Sequence, residues 1–262
     1  SFGTVGCNLF CQFCQNWHIS RASTEDFRYS LKKLSPKEAV KEAVQSGCAT
    51  VAYTYNEPII WYEWVLDTAK IVHQKGLKNI LVTNGYIEEE PLRELLPFID
   101  GVNVDLKGDK GFYKEMCGVT RQEAVLRTCK IIKEQNVHLE ITNLIVTSKN
   151  DSNKQLQELI DFVVTELGSD VPLHFSRYFP NYNIDLPATP VDTLFKARDM
   201  ALRSGVQYVY LGNIRGERGN DTHCKNCGTL VVKRRGYITN TVNLTKDFQC
   251  KNCGTPTDIV WN

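Results

Sequence analysis

The sequence predicts an α/β protein: a partial, open parallel β/α barrel with a small appendage at its C-terminal end. Strand and helix patterns alternate from about residue 35 to residue 211, which favours a parallel sheet with right-handed crossovers. Seven strands can be identified, one fewer than a closed eight-stranded barrel needs. From Thr222 onward the helical periodicity ends, and Cys-x-x-Cys-Gly occurs twice. We therefore expect a barrel domain over residues 1–215 and a metal-binding ribbon over residues 222–262.

The predicted elements follow one another in a regular order. A short strand is expected at 2–5. The first long helix begins at Ser35-Pro36-Lys37-Glu38, where a capping box and an early proline mark its start, and it ends at Gly47. The remaining strands are predicted at 50–54, 79–83, 101–106, 138–146, 172–178 and 207–211. The remaining helices are predicted at 61–75, 89–96, 122–135, 152–167 and from Thr189 to about Gly205.

The composition narrows the class of protein. The 262 residues carry a net charge of +1, so no strong overall field attracts nucleic acid or a membrane surface. No apolar run reaches the roughly 18 residues that span a bilayer, and the N-terminus has no signal-peptide pattern. Seven of the ten cysteines fall into three tight clusters, which favours metal sites in a reducing cytoplasm over disulfides. Because Ser1 lies so close to the first cluster, we expect that a further N-terminal segment precedes it.

The first cluster is Cys7-Asn-Leu-Phe-Cys11-Gln-Phe-Cys14, on the loop after the first predicted strand. Three thiolates at this spacing can hold three irons of a cubane iron–sulfur cluster, and the fourth iron is then open to a small molecule. His18 is the nearest residue that would turn the loop into a closed, structural four-ligand site. Both interpretations remain open at this stage.

Polar residues stand at the carboxyl ends of the later strands, where barrel active sites are built. Taken singly, each has an ordinary structural explanation: Asn84-Gly85 is a common turn, and Glu57 is a typical solvated loop residue. Their order after the cysteine loop favours one shared site. The residues concerned are Glu57, Thr83, Asn84, Asp105, Lys107, Asn143, Ser176 and Arg177.

These motifs together resemble a known superfamily. The pattern C-x3-C-x-aromatic-C, with Phe13 as the aromatic residue, resembles the signature of radical S-adenosylmethionine enzymes. Residues 53–58 resemble the Gly-Gly-Glu-Pro segment of pyruvate formate-lyase activating enzymes, with Tyr55 and Asn56 in place of the two glycines. Thr83-Asn84-Gly85 and Asp105-Leu106-Lys107 are similar to two further motifs of those activating enzymes, although Val82 stands where they often have Asp.

A narrower resemblance covers essentially the whole chain. Several segments resemble the radical enzymes of the AmmeMemoRadiSam system, whose members usually carry a further N-terminal segment with its own cysteines. The segments are Gly3-Thr-Val-Gly-Cys7, Cys14-Gln-Asn-Trp17, residues 53–58, Val104-Asp-Leu-Lys107, His174-Phe-Ser-Arg-Tyr-Phe-Pro180 and the C-terminal cysteine pairs ending near Val260-Trp261.

The resemblance implies a [4Fe-4S] cluster on Cys7, Cys11 and Cys14, with S-adenosylmethionine bound at the open iron. Reductive cleavage then gives a 5′-deoxyadenosyl radical, which abstracts hydrogen from an unidentified substrate. A protein is one of the substrates that the resemblance allows. A one-electron donor such as flavodoxin or ferredoxin is implied as a partner. The implied cofactor contacts are Phe13, Asn56, Glu57, Thr83, Asn84, Asp105, Lys107, Asn143 and Arg177.

Two other functions remain open. The first is a glycyl-radical-enzyme activase, which the activating-enzyme motifs favour. The second is an RNA-binding or scaffold protein in which the cluster is structural, although the near-neutral charge makes nucleic acid an unexpected partner.

The C-terminal cysteines form two matching knuckles, Cys224-Lys-Asn-Cys227-Gly and Cys250-Lys-Asn-Cys253-Gly. Four thiolates in this arrangement predict a tetrahedral zinc ribbon. A second iron–sulfur cluster and a rubredoxin-like iron are the alternatives.

Cys117 follows the Asp-Leu-Lys motif in the segment Met116-Cys117-Gly118. A free cysteine is usually a small apolar residue of the core. A place near the substrate is the functional alternative.

Overall fold

A computed structural model describes residues 1–28, 30–214, 219–236 and 238–259. The chain forms two compact units, residues 1–142 with 179–187 and residues 143–178 with 188–262. The predicted fold class is confirmed: six parallel strands form one sheet in chain order, as a partial, open barrel with helices. The predicted boundary at residue 215 and the Val260-Trp261 ending lie outside the described residues, and the division into domains stays a prediction.

The strands of this sheet lie close to the predicted ones. The bounds are Thr50–Tyr53 (β1), Lys78–Thr83 (β2), Gly101–Asp105 (β3), His138–Ile145 (β4), Leu173–Arg177 (β5) and Val209–Gly212 (β6). β1, β2 and β3 pair in parallel with their neighbours. Their carboxyl ends, at Tyr53, Thr83 and Asp105, therefore share one edge of the sheet.

The strand predicted at 2–5 is reduced to a single parallel bridge between Phe2 and Tyr53. The Thr4 amide donates to the carbonyl of Tyr55, already beyond the end of β1. Gly3 allows this close approach, because a Cβ there would meet the Tyr55 carbonyl oxygen at 2.6 Å. The segment consequently lies parallel to the end of β1 and forms one bridge with it, which is too short for the predicted strand.

The long helices agree with the predicted positions. The bounds are Trp17–Ser20 (α1), Pro36–Gln45 (α2), Tyr62–Gln74 (α3), Glu89–Leu95 (α4), Lys110–Met116 (α5), Gln122–Glu134 (α6), Asn153–Phe162 (α7) and Val191–Arg203 (α8). Pro58–Trp61 and Leu96–Phe98 are 3-10 turns, and α7 continues as the π-helical segment Val163–Leu167. The predictions lacked α1 and α5, because so short a helix shows no clear periodicity.

Side-chain caps define where the helices begin. The Ser35 side chain accepts from the amide of Glu38, and the Glu38 carboxylate accepts from the amide of Ser35 at 2.9 Å, which confirms the predicted capping box. At α5 the Asp109 carboxylate accepts from the Phe112 amide at 2.8 Å. α5 is therefore a defined element in spite of its length.

The C-terminal segment forms a three-stranded antiparallel sheet of Thr222–His223 (β7), Leu230–Arg235 (β8) and Ile238–Thr241 (β9). Its core is small and consists of Val231, Val232, Leu244, Cys224 and Cys250, with Phe248 and Ile259 packed against it. Among the described residues, no helix is both long and apolar enough to cross a membrane.

Candidate active site

The three cysteines of the first cluster lie on a loop whose backbone is held at several points. The Gly6 amide donates to the carbonyl of Ile19 at 2.8 Å. The amides of Phe10 and Gln12 donate to the carbonyls of Cys117 and Met116, each at 2.9 Å. These backbone hydrogen bonds thus hold the loop between α1 and the carboxyl end of α5 without any contact to a cofactor.

Each cysteine sulfur has polar neighbours. The Cys7 sulfur accepts from the Leu9 amide at 3.4 Å and from the Asn84 side-chain amide at 3.7 Å, and the Cys14 sulfur lies 3.4 Å from the Ser20 hydroxyl. The neighbouring Cys117 side chain lowers the pKa of Cys11, whereas burial raises that of Cys7. Iron binds the thiolate form, so hydrogen-bond donors at these sulfurs fit a cluster ligand set.

Glu57 is the most buried carboxylate of this region, with 1% of its surface exposed. Its Oε1 accepts from the Thr83 hydroxyl at 2.6 Å and the Ile59 amide at 3.2 Å, and its Oε2 accepts from the Asn84 amide at 2.7 Å. A carboxylate offers about four acceptor positions, so one remains. Burial raises the pKa of Glu57 to about 7. Within the described part of the chain no lysine or arginine forms a salt bridge with it.

Asn84 connects this carboxylate to the cysteine loop. Its backbone amide binds Glu57, while its side-chain Nδ2 contacts Asn8 Oδ1 at 2.7 Å and the Cys7 sulfur at 3.7 Å. Its Oδ1 accepts from the Tyr86 amide at 2.8 Å. The structure therefore brings Cys7, Glu57, Thr83 and Asn84 into one hydrogen-bonded group.

Asp105 and Lys107 form a second polar group at the end of β3. Lys107 Nζ lies 2.9 Å from Asp105 Oδ2. Burial opposes the charge of Lys107, but the neighbouring Asp105 and Cys11 outweigh it and raise the lysine pKa. The Lys107 side chain is mostly buried, with 14% of it exposed, whereas the Asp105 side chain is 40% exposed. The pair interacts electrostatically with the cysteine loop.

Phe13 and Asn56 occupy different environments. Phe13 is buried and packs on Phe112, with ring centroids 5.5 Å apart. Asn56 Nδ2 donates to the Thr4 carbonyl at 3.3 Å. The Asn56 Oδ1 atom is buried and has no hydrogen-bond partner in the described structure, which leaves an acceptor for a ligand.

The other two predicted contacts belong to the second compact unit. Asn143 is buried on β4, and Arg177 ends β5, where its Nε donates to the Thr189 carbonyl at 2.7 Å. Their role in cofactor binding stays a prediction. His18, the alternative fourth ligand, is exposed, and its ring meets Trp17 edge-on at 6.2 Å.

The four C-terminal cysteines come together as predicted. All four sulfurs lie within 4.8 Å of one another, with Cys224–Cys253 at 3.6 Å and Cys227–Cys250 at 3.7 Å. Thiolates about 2.3 Å from a tetrahedral zinc ion would be about 3.8 Å apart. Contacts with the Asn252 and Thr229 side chains lower the pKa of Cys227 to about 5. The donor set fits a metal ion, and its identity stays a prediction.

Gly85→Ala tests the turn that holds Thr83 and Asn84. Gly85 has φ +71°, and a Cβ there would meet Val104 at 2.9 Å. We expect the variant to lose about 1–3 kcal/mol of unfolding free energy, measured by urea denaturation. Gly47→Ala is the matched control, because it has φ +68° with open space around the Cβ. Equal losses in the two variants would show that Val104 adds no constraint.

Comparison with known proteins identifies a family and several relatives that this chain resembles. A model described as the Radical SAM superfamily matches residues 2–163. An uncharacterized protein of Methanocaldococcus jannaschii is 43% identical over 245 residues, which cover 93% of this chain and 72% of that protein. A putative glycyl-radical enzyme activating enzyme of Haemophilus influenzae is 27% identical over 176 residues, which cover 66% of this chain and 62% of the relative.

Solved structures share the fold. SuiB of Streptococcus suis, bound to S-adenosylmethionine, superposes with a TM-score of 0.64 at 16% identity and covers 81% of this chain, which spans 49% of SuiB. A domain of a pyruvate-formate lyase-activating enzyme from Bacteroides vulgatus gives 0.55 at 17% identity, covering 62% of this chain and 98% of that domain. At these identities the likeness shows the fold alone.

Proposed function

We propose that this chain, which belongs to the radical SAM superfamily, cleaves S-adenosylmethionine reductively and uses the resulting radical to abstract hydrogen from a substrate. One observation carries the proposal: a buried carboxylate with a remaining acceptor position is joined through Asn84 to a sulfur of the cysteine loop. A cofactor whose ammonium group binds a carboxylate and whose methionine part lies at the iron would fit a carboxylate placed next to the cysteine loop.

Cys7, Cys11 and Cys14 would hold the [4Fe-4S] cluster. When bound, the cluster supplies the electron that cleaves S-adenosylmethionine to a 5′-deoxyadenosyl radical. The chain's own residues orient the ligands: the Asn84 amide donates to the Cys7 sulfur, and the backbone of α5 holds the loop on both sides of Cys11. Phe13, buried against Phe112, excludes water from the same loop.

Glu57 would bind the ammonium group of S-adenosylmethionine. Its carboxylate is preorganised by Thr83 and Asn84 and has no cationic side chain paired with it among the described residues. Asn56 Oδ1 offers a second acceptor. Asp105, Lys107, Asn143 and Arg177 complete the proposed contacts to the methionine and ribose parts.

Glu57→Gln is expected to weaken S-adenosylmethionine binding about 10- to 150-fold, since a hydrogen bond to a charged group contributes about 1.5–3 kcal/mol. Because the pKa of Glu57 is about 7, protonation below that pH should weaken binding in the parent protein as well. Isothermal titration from pH 6 to 8 would measure both effects.

Glu63→Gln serves as the control, because Glu63 is an exposed carboxylate in the first turn of α3. It should bind the cofactor like the parent and keep the same pH profile. A Glu57→Gln protein that binds normally and retains the pH profile would exclude Glu57 as the ammonium site.

The experiment that tests the function is anaerobic. The protein is reconstituted with iron and sulfide, reduced with dithionite and given S-adenosylmethionine, and 5′-deoxyadenosine is measured by chromatography. Product formation supports the radical enzyme. Its absence from a protein with a full, reducible cluster favours the alternative of a structural cluster in an RNA-binding or scaffold protein.

Activation of a glycyl radical enzyme is the second candidate, supported by the Haemophilus relative described as an activating enzyme. Incubation with such an enzyme and electron paramagnetic resonance would reveal a glycyl radical. We further propose a cytoplasmic location, an electron donor such as flavodoxin or ferredoxin, and zinc in the ribbon, with a second iron–sulfur cluster or iron as the alternative.

A further inference from the structure

We propose that Tyr182 is a positioning residue for the cluster: its ring, stacked on Trp17, holds the cysteine loop in place and thereby slows the loss of bound iron. The inference rests on the proposed function, in which Cys11 and Cys14 each hold one iron. It assigns a role to a turn that lies far from the three-cysteine motif in the sequence.

Tyr182 has an unusual backbone conformation. It stands with Asn183 between Asn181 and Ile184, which pair through a single antiparallel bridge, so the two residues form the centre of a tight turn. Tyr182 has φ +60°. Turns of this kind favour glycine, asparagine or aspartate at that position, because a bulky side chain is strained there. Such strain persists only where the surrounding structure compensates for it, and it is common at functional sites.

The compensating contact is made with the cysteine loop. The Tyr182 ring stacks on that of Trp17, which lies three residues after Cys14, with centroids 5.4 Å apart and planes 13° apart. The next residue of the turn, Asn183, donates its amide to the carbonyl of Gln12 at 3.0 Å. Gln12 lies inside the three-cysteine motif. The turn therefore contacts the loop both within the motif and just after it.

α5 holds the same part of the loop. The Gln12 amide donates to the Met116 carbonyl at 2.9 Å, and the Gln12 side chain donates to the Glu115 carbonyl at 2.8 Å. Gln12 is thus held by two elements, α5 and the turn. The Cys14 amide donates to the Cys11 carbonyl at 3.2 Å, so both proposed ligands belong to the short segment that contains Gln12.

The stacked rings lie outside the core, since 43% of Trp17 and 38% of Tyr182 remain exposed. Their contact consequently acts on the position of the loop more than on the stability of the whole fold. Iron leaves a cluster when a ligand moves away from it, and residues that orient ligands strengthen metal binding for that reason. A loop that is held at Trp17 should release iron more slowly.

The test compares the parent protein with Tyr182→Phe and Tyr182→Ala after anaerobic reconstitution. The rate at which iron passes to an excess of a ferrous-iron chelator is followed by absorbance. Tyr182→Phe keeps a ring that can stack and should release iron at the parent's rate. Tyr182→Ala lacks the ring and is expected to release iron about 2- to 12-fold faster, the range that follows from the free energy of one aromatic pair.

Tyr182→Gly separates the contact from the stability of the fold. Glycine adopts φ +60° without strain, so this variant should resist urea better than Tyr182→Ala. Both variants lack the ring, and iron release should therefore be equally fast in the two. Fast release from Tyr182→Ala together with parent-like release from Tyr182→Gly would show that general stability controls the loss of iron, and the inference would be overturned.

His73→Ala is the matched control, because it removes another exposed ring contact, the one with Phe98 at the end of α3. It should release iron like the parent. A parent protein that assembles no cluster, as measured by iron and sulfide analysis, would overturn the proposed function together with this inference. Full clusters and equal release rates in the parent and Tyr182→Ala would overturn only the role of Tyr182.

Discussion

Replacement of Cys11 by alanine is expected to abolish 5′-deoxyadenosine formation and to lower cluster iron, with a loss of more than about 100-fold in activity. Substitution of a residue that only orients a metal ligand typically lowers metal affinity or activity about 10- to 100-fold, so removal of a ligand itself should lower activity further. Cys11 is the most buried of the three motif cysteines, and its loop is tied to α5 on both sides. Chromatography of the reaction and iron and sulfide assays measure the two effects.

Cys48→Ala is the control for this substitution, because Cys48 is an exposed free cysteine just after α2. It should keep the parent's cluster and activity. Cys117 gives a further reason to choose Cys11, since it is a buried free cysteine whose carbonyl accepts from the Phe10 amide of the same loop, which makes its thiol the obvious substitute ligand. Full activity in Cys11→Ala, with loss only when Cys117 is removed as well, would contradict the assigned ligand set.

The fold was predictable from sequence because its signals are local. The capping box at Ser35 and Glu38 and the alternation of strands and helices lie within short windows, and both are confirmed. The predicted strand at 2–5 was wrong because the position of this segment depends on contacts with residues about 50 positions away. The segment forms a single parallel bridge with the end of β1, and the Thr4 amide then donates to the Tyr55 carbonyl; no local pattern encodes that contact.

The candidate site shows the same division. The spacing of Cys7, Cys11 and Cys14 and of the four ribbon cysteines is local, so both groups could be predicted. The contact between the cysteine loop and α5 joins residues more than a hundred positions apart, as with Gln12 and Glu115. The environment of Glu57 likewise depends on Thr83 and Asn84, which follow a different strand. The residues next to Glu57 in the sequence predict only a solvated loop. The sequence did contain one signal for α5, namely an aspartate at position 109 that can cap the first turn of a helix.

The second large effect concerns the ribbon, where removal of the metal is expected to unfold residues 222–259. Among the described residues of this segment, the core contains only Val231, Val232 and Leu244 besides two cysteines, with Phe248 and Ile259 packed against it. So few apolar side chains supply little stability, whereas structural zinc contributes roughly 10–16 kcal/mol of binding free energy in comparable small sites. Hydrogen exchange of the backbone amides should therefore become fast throughout this segment in a chelator.

Cys253→Ser tests the same point without a chelator. Cys253 is exposed, so its replacement removes little packing, and the loss of one thiolate should release about one equivalent of metal by elemental analysis. Cys48→Ser, another exposed cysteine, should keep the metal and the slow exchange. Acid should also release the metal, because protons compete with it for the thiolates. If Cys253→Ser keeps both its metal and its protected amides, the four cysteines do not form the metal site, and the ribbon is stabilised by its small core and hydrogen bonds alone.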